Sequence, residues 1–92
     1  MYDKGQKKGT VRFSMVPSDG SKKVALAGNF NDWKPAPMRK QKGGRFSVSV
    51  DLPPGTYEYK FIVDDQWVVD PDTNTWAMNP YGTFNSVAQI AE

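Results

Sequence analysis

Cysteine and histidine are both missing from this 92-residue chain, and each absence closes off a class of chemistry. Without cysteine there is no disulfide framework, no thiolate nucleophile and no thiolate zinc site. Without histidine, the usual proton shuttle near neutral pH and the commonest metal ligand are gone too. An enzyme built on this chain would have to run on carboxylates, and no cofactor is expected. Apolar runs are also short, a few residues at most, against the roughly 20 needed for a membrane-spanning helix. The opening "MYDKGQKKGT" has no apolar leader segment, so a cytoplasmic protein that does not engage a membrane is expected. Net charge is only +2, too weak a field for a dedicated polyanion binder.

What is abundant is turn chemistry. Eight glycines and seven prolines punctuate the chain, and between them the apolar residues recur at every second position. Residues 1–9 are polar and lysine-bearing and read as a flexible tail; residues 10–92 read as one domain. "TVRFSMV" sets Val11, Phe13 and Met15 to one side, a half-buried strand. "PSDGSK" reads as a turn, and "KVALAGNF" as a second strand. Residues 31–44, "NDWKPAPMRKQKGG", read as a long loop. "RFSVSVDL" and "TYEYKFIV" alternate again, and the intervening "PPG" suggests that they form a hairpin. "QWVVD" is a further strand, "PDTNTWAMNPYG" a second long loop, and "TFNSVAQI" a closing strand. Short strands at this spacing, with no helical period, predict an all-β antiparallel sandwich of immunoglobulin-like size, a barrel being the second choice.

Strand parity then separates core from surface. In "TYEYKFIV" the tyrosines and Phe61 share one face, leaving Lys60 opposite with Glu58 and Ile62. In "TFNSVAQI", Phe84 and Ile90 take the inner parity, which leaves Thr83, Asn85 and Val87 outside. Trp33 lies in a loop between turn formers and Lys34-Pro35, Trp67 opens a strand, and Tyr81 precedes the Gly82 of the last loop. Trp67 suits a core anchor as well as a surface platform, and Trp76, with no matching polar set around it, reads as structural or peripheral. Exposed indoles edged by amide, hydroxyl and ammonium groups suit a pyranose, which shows a flat C–H face and a rim of hydroxyls.

At "GNFNDW", "YEYKFIVDDQWVVDP" and "YGTFNS" the sequence resembles carbohydrate-binding module family 48, which includes glycogen-binding modules of AMP-activated kinase β subunits and N-terminal modules of isoamylases and branching enzymes. The likeness spans about residues 10–90. It implies an immunoglobulin-like sandwich of the early-set type, no catalytic activity, and binding of α-1,4-linked glucans on behalf of an attached or associated catalytic domain or kinase. Carried over by position, it implies stacking by Trp33 and Trp67 and hydroxyl contacts from Lys60, Thr83 and Asn85. Tyr81 stands where glycogen-binding members have a leucine, and Asp64-Asp65 where the hairpin turn usually reads Asp-Gly. As an isolated domain the chain is expected to be monomeric.

Other readings remain beside this one. Asp64 with Asp65, or Asp70 with Asp72, could serve as a glycosidase pair, although loop acids are ordinarily just solvated. "DPDTN" starts like a calcium loop, but the glycine position holds Thr75 and the bidentate glutamate position Tyr81, so no metal is expected. "KKGTVRF" and the basic "KPAPMRKQKGGR" echo single-stranded nucleic-acid-binding barrels, whose aromatic-rich second strand is missing here; no nucleic-acid partner is expected. A pure protein-interaction module of an amylolytic or kinase complex is the remaining alternative.

Overall fold

The alternating segments do become strands. A computed structural model describes residues 1–5, 8–17 and 23–91, and in it ten strands succeed one another: β1 (Tyr2–Lys4), β2 (Thr10–Met15), β3 (Val24–Gly28), β4 (Ala36–Pro37), β5 (Arg39–Lys40), β6 (Phe46–Asp51), β7 (Gly55–Val63), β8 (Gln66–Val68), β9 (Trp76–Met78) and β10 (Phe84–Ile90). Among the described residues there is no helix, and so none long and apolar enough to cross a membrane. Two antiparallel sheets, β1-β2-β6-β5 and β4-β3-β7-β10-β9 with β8 added to β7, stack as an immunoglobulin-like β-sandwich. The turn expected at "PSDGSK" falls largely on residues 18–22, outside the described residues.

Period-two patterning places the core. Val11, Phe13 and Met15 of β2 face Val50, Val48 and Phe46 across the ladder, and meet Leu26, Tyr59, Phe61 and Ala88 of the other sheet in one buried cluster. Phe13 packs edge-on to Tyr59 at 4.9 Å and stacks on Phe30 at 5.6 Å. Full burial of each such ring is worth about 1.5–3 kcal/mol.

Four expectations need correction. β6 and β7 are not a hairpin, because β6 pairs with β2 and β5 while β7 pairs with β3, β8 and β10. Pro53 and Pro54 cannot donate to a ladder, and both strands show an apolar face to the same core from opposite sides. Residues 31–44 are not a continuous loop: β4 joins β3, β5 joins β6, and Met38 between them is buried at the change of sheet. The loop after Asp70 contains β9, paired with β10. Residues 1–9, read as a tail, include β1, whose Tyr2 lies opposite Phe13 and packs against Tyr59.

One polar knot ties these layers. Asp70, 1 % exposed, accepts the Tyr59 hydroxyl at 2.6 Å and the Asp72 amide at 2.9 Å, while its own N–H donates to Ser86 Oγ at 2.7 Å. The amino group of Met1 contacts the same carboxylate. Burial, and then the hydrogen bond to Asp70, push the Tyr59 phenol far above its ordinary value of 10.0.

β7 and β8 form the hairpin that the sequence does hold. Its two-residue loop, Asp64-Asp65, has φ of 47° and 72°, the left-handed pair that favours Asn-Gly or Asp-Gly. Asp64 is locked in place by its carboxylate accepting the Lys23 amide at 2.9 Å.

Two outcomes are expected in urea unfolding. Asp65→Gly relieves a left-handed non-glycine residue and should raise stability by about 0.5–1 kcal/mol, seen as a higher midpoint at unchanged slope. The folded Tyr59 keeps its proton above pH 10, where the unfolded phenol ionises, so its contribution is complete below about pH 10 and lost as pH rises beyond it. Tyr59→Phe should be less stable at neutral pH by about 1.5–3 kcal/mol and show a shallower alkaline decline.

Candidate functional site

Above β7, β8 and β10 the outer face of the larger sheet carries a shallow cavity of about 560 Å³, within the usual range for small-ligand sites. Trp33, Lys60, Trp67, Tyr81, Thr83 and Asn85 all line it. The six positions named from sequence therefore converge, although they come from four separate segments. Asn29, Glu58, Met78, Asn79 and Pro80 join them and were not among the site residues expected from sequence. Glu58 was legible in principle, since it lies two residues from Lys60 on the same face of β7.

Trp33 is held outward by a constrained turn. Asp32 and Trp33 have φ of 57° and 60°, a region that bulky residues avoid at a cost of about 1–2 kcal/mol. The turn persists because its polar groups are matched. Asn31 Oδ1 accepts the Gly28 amide at 3.0 Å, the Gly28 carbonyl accepts the Trp33 amide at 2.9 Å, and the Asn31 carbonyl accepts the Lys34 amide at 3.1 Å. Gly28 is required here, as a Cβ would sit 2.7 Å from the Glu58 carbonyl oxygen. Trp67 lies opposite Ile62 in the β7–β8 ladder, so its ring shares the face of Lys60 and Glu58 and is 49 % exposed. The core-anchor alternative for Trp67 is thereby removed.

Between the rings runs a hydrogen-bonded chain whose direction can be read. Asn79 Oδ1 accepts the amides of Tyr81 and Thr83 at 3.0 and 3.1 Å, which turns its NH₂ toward Thr83 Oγ1 at 2.7 Å and Asn85 Oδ1 at 3.1 Å. Asn85 Nδ2 must then face an acceptor, and it donates to Glu58 Oε1 at 3.0 Å. Lys60 Nζ donates to Thr83 Oγ1 at 3.2 Å. With its oxygen accepting from both Lys60 and Asn79, the Thr83 hydroxyl has its proton left to donate outward.

Three expectations change. Asn85 and Val87 have the predicted outward parity but are buried, at 4 % and 7 % exposure, and two of the Asn85 amide's hydrogen-bonding positions are taken by Glu58 and Asn79. Asn85 braces Glu58 more than it offers a surface. Phe84, expected inside, is 49 % exposed, because it sits opposite Met78 where β9 and β10 run past the packed core. Tyr81 is 91 % exposed and its ring is free to meet a ligand. Among the described residues no cluster of acidic side chains could hold a metal ion.

An immunoglobulin-like sandwich with a sheet-face cleft of indoles, amide, hydroxyl and amine defines a carbohydrate-binding module. The profile of the family described as the glycogen recognition site of AMP-activated protein kinase matches residues 11–92, and the chain belongs to that family. It is 38 % identical over 71 residues to the pig 5'-AMP-activated protein kinase subunit beta-1, covering 77 % of this chain and 57 % of that one. It is 48 % identical over 59 residues to Protein PTST homolog 2, chloroplastic, of Arabidopsis thaliana, covering 63 % of this chain and 11 % of that one. In three dimensions it resembles a maltogenic amylase from S. marinus with a TM-score of 0.75 and 29 % identity, over 100 % of this chain and 15 % of the amylase. The chain thus spans little more than half of that pig sequence, 26 % of the human subunit beta-1, and a small part of the other two.

Asn79→Ala should leave core amide protection unchanged while the amides of Tyr81 and Thr83 exchange at least about tenfold faster, measured by hydrogen exchange.

Proposed function

We propose that this chain binds α-1,4-linked glucans such as glycogen, starch and maltooligosaccharides, and does no chemistry on them. The observation that carries the reading is the meeting of two indoles, the half-buried Trp33 and the exposed Trp67, on one cavity that Lys60, Thr83 and Glu58 also line. Each indole removes on the order of 100 Å² of sugar C–H surface from water, roughly 2.5 kcal/mol gross. Two platforms give about 5 kcal/mol before ordering costs, which sets the affinity at about micromolar to millimolar. Thr83 and Lys60 supply donors, and Glu58 an acceptor, for a ligand whose every hydroxyl does both. Tyr81 adds a third ring in place of the family's leucine. Membership in a glycogen-recognition family supports the same reading.

The glycosidase alternative loses its best acid. Asp70 is buried and hydrogen-bonded within the fold, while Asp64 and Asp65 form the β7–β8 turn and do not line the cavity. Nucleic-acid binding is disfavoured by charge, since among the described residues Lys60 and Glu58 are the charged side chains lining the site and their charges cancel. The module's task is to hold a catalytic domain or kinase, attached or associated, against the polysaccharide.

Calorimetric titration with β-cyclodextrin tests this. Affinity should change little from low to high salt, unlike the steep loss that phosphate contacts would produce. Trp67→Ala should lower affinity at least about tenfold with cooperative unfolding retained. Undiminished binding by that variant would overturn the reading.

A further inference from the structure

Large apolar side chains are not spread evenly over the surface. Of the seven exposed ones among the described residues, Trp76, Met78, Tyr81 and Phe84 all lie on β9, β10 and the loop between them. Trp76 pairs with Ser86, and Met78 with Phe84. Trp76, Met78 and Phe84 therefore share one face of the β9–β10 ribbon, the face that elsewhere on β10 is sealed, with Ser86 and Ala88 at 0 % exposure. β9 is the terminal strand of its sheet, and here the ribbon overhangs the core. Trp76 is left 53 % exposed and Met78 67 %. Met78 and Tyr81 also line the cavity on the other face, so exposed apolar side chains stand at both the cavity and the β9 edge that carries Trp76.

The size and chemistry of this strip select its occupant. Trp76 and Met78 on β9, with Phe84 on the neighbouring β10, cover about 10 Å of the ribbon and offer roughly 300 Å², well short of the ~800 Å² per partner of a stable protein interface. They match a short run of pyranose rings. Asn74 and Thr75, both exposed, precede Trp76, which repeats the pairing of indole with amide and hydroxyl seen in the cavity. We infer that Trp76, with Phe84, is a second sugar-contacting surface, reached by a glucan chain that leaves the cavity over Met78 and Tyr81 and bends around the sheet edge. This rests on the glucan reading of the cavity and adds a preference for long chains. An α-1,4-glucan is curved, and a curved polymer can follow an edge that a flat one would leave.

The test compares short and long ligands on the whole chain. Trp76→Ala should bind maltotriose and β-cyclodextrin as the wild type does, and bind soluble amylose about fivefold or more weakly. Trp76→Phe, which keeps a flat ring, should recover most of that loss, and a thermal unfolding scan of each variant should match the wild type. In NMR titrations the Trp76 indole N–H should shift with amylose and not with maltotriose. Equal amylose affinity for wild type and Trp76→Ala would overturn the inference, and a strip used for protein docking would give that result. Equal loss for short and long ligands would overturn it too, by making Trp76 part of the first cavity. Trp67→Ala separates the two proposals: loss of all binding there, with no effect at Trp76, removes the second surface and leaves the first.

Discussion

A carboxylate leaves water only where other groups take over its hydration, and in this domain the fold brings that about at Asp70. The Tyr59 hydroxyl, the Asp72 amide and the Met1 amino group meet its oxygens, while Ser86 accepts its N–H. Those partners belong to β7, to the turn after β8, to β10 and to the start of the chain. The knot therefore fixes the point from which β8 departs in one direction and β9 in the other. Both outward tryptophans of this half of the molecule, Trp67 and Trp76, hang from it. Removing one partner of such a group costs far more than the bond contributes net, because a buried charge is left unmet.

The surface above is organised on the same principle at lower stakes. Asn79 has both its carbonyl and its NH₂ committed, and through it the orientations of Asn85, Glu58 and Thr83 follow one another without freedom. Preorganisation of this kind suits a weak ligand, since little ordering remains to be done when the sugar arrives. The left-handed backbone at Asp32 and Trp33 serves the same end. Strain there is offset by the Asn31 and Gly28 hydrogen bonds, and it keeps the indole out of the core.

How the residues divide between legible and hidden follows from the range of the forces involved. The parity of Tyr57, Tyr59 and Phe61 against Glu58 and Lys60 could be read directly, since it depends only on the pleat of a single strand. So could the solvent-facing turn at Asn31-Asp32-Trp33, since turn chemistry is local. The face of Glu58 was legible, but a role at the site for Glu58 or Asn79 was not, because their importance comes from what they touch: Asn85 in one case, Thr83 and two backbone amides in the other. Those partners are up to 27 residues away.

The sequence by itself determined that this chain is a set of short amphipathic strands, with Trp33 in a turn and Lys60 on an outward position, because period and turn propensity act within a few residues; whether Trp67 faced the core or the surface was left to the fold. Tertiary structure alone decided which strands meet. It split β6 from β7 into opposite sheets across Pro53-Pro54-Gly55, recruited Tyr2–Lys4 as an edge, and let β9 overhang the core. It also buried Asn85 on a face that parity marks as outer. Each of these outcomes depends on a partner distant in the chain, and hydrophobic burial carries no label saying which apolar face will cover which.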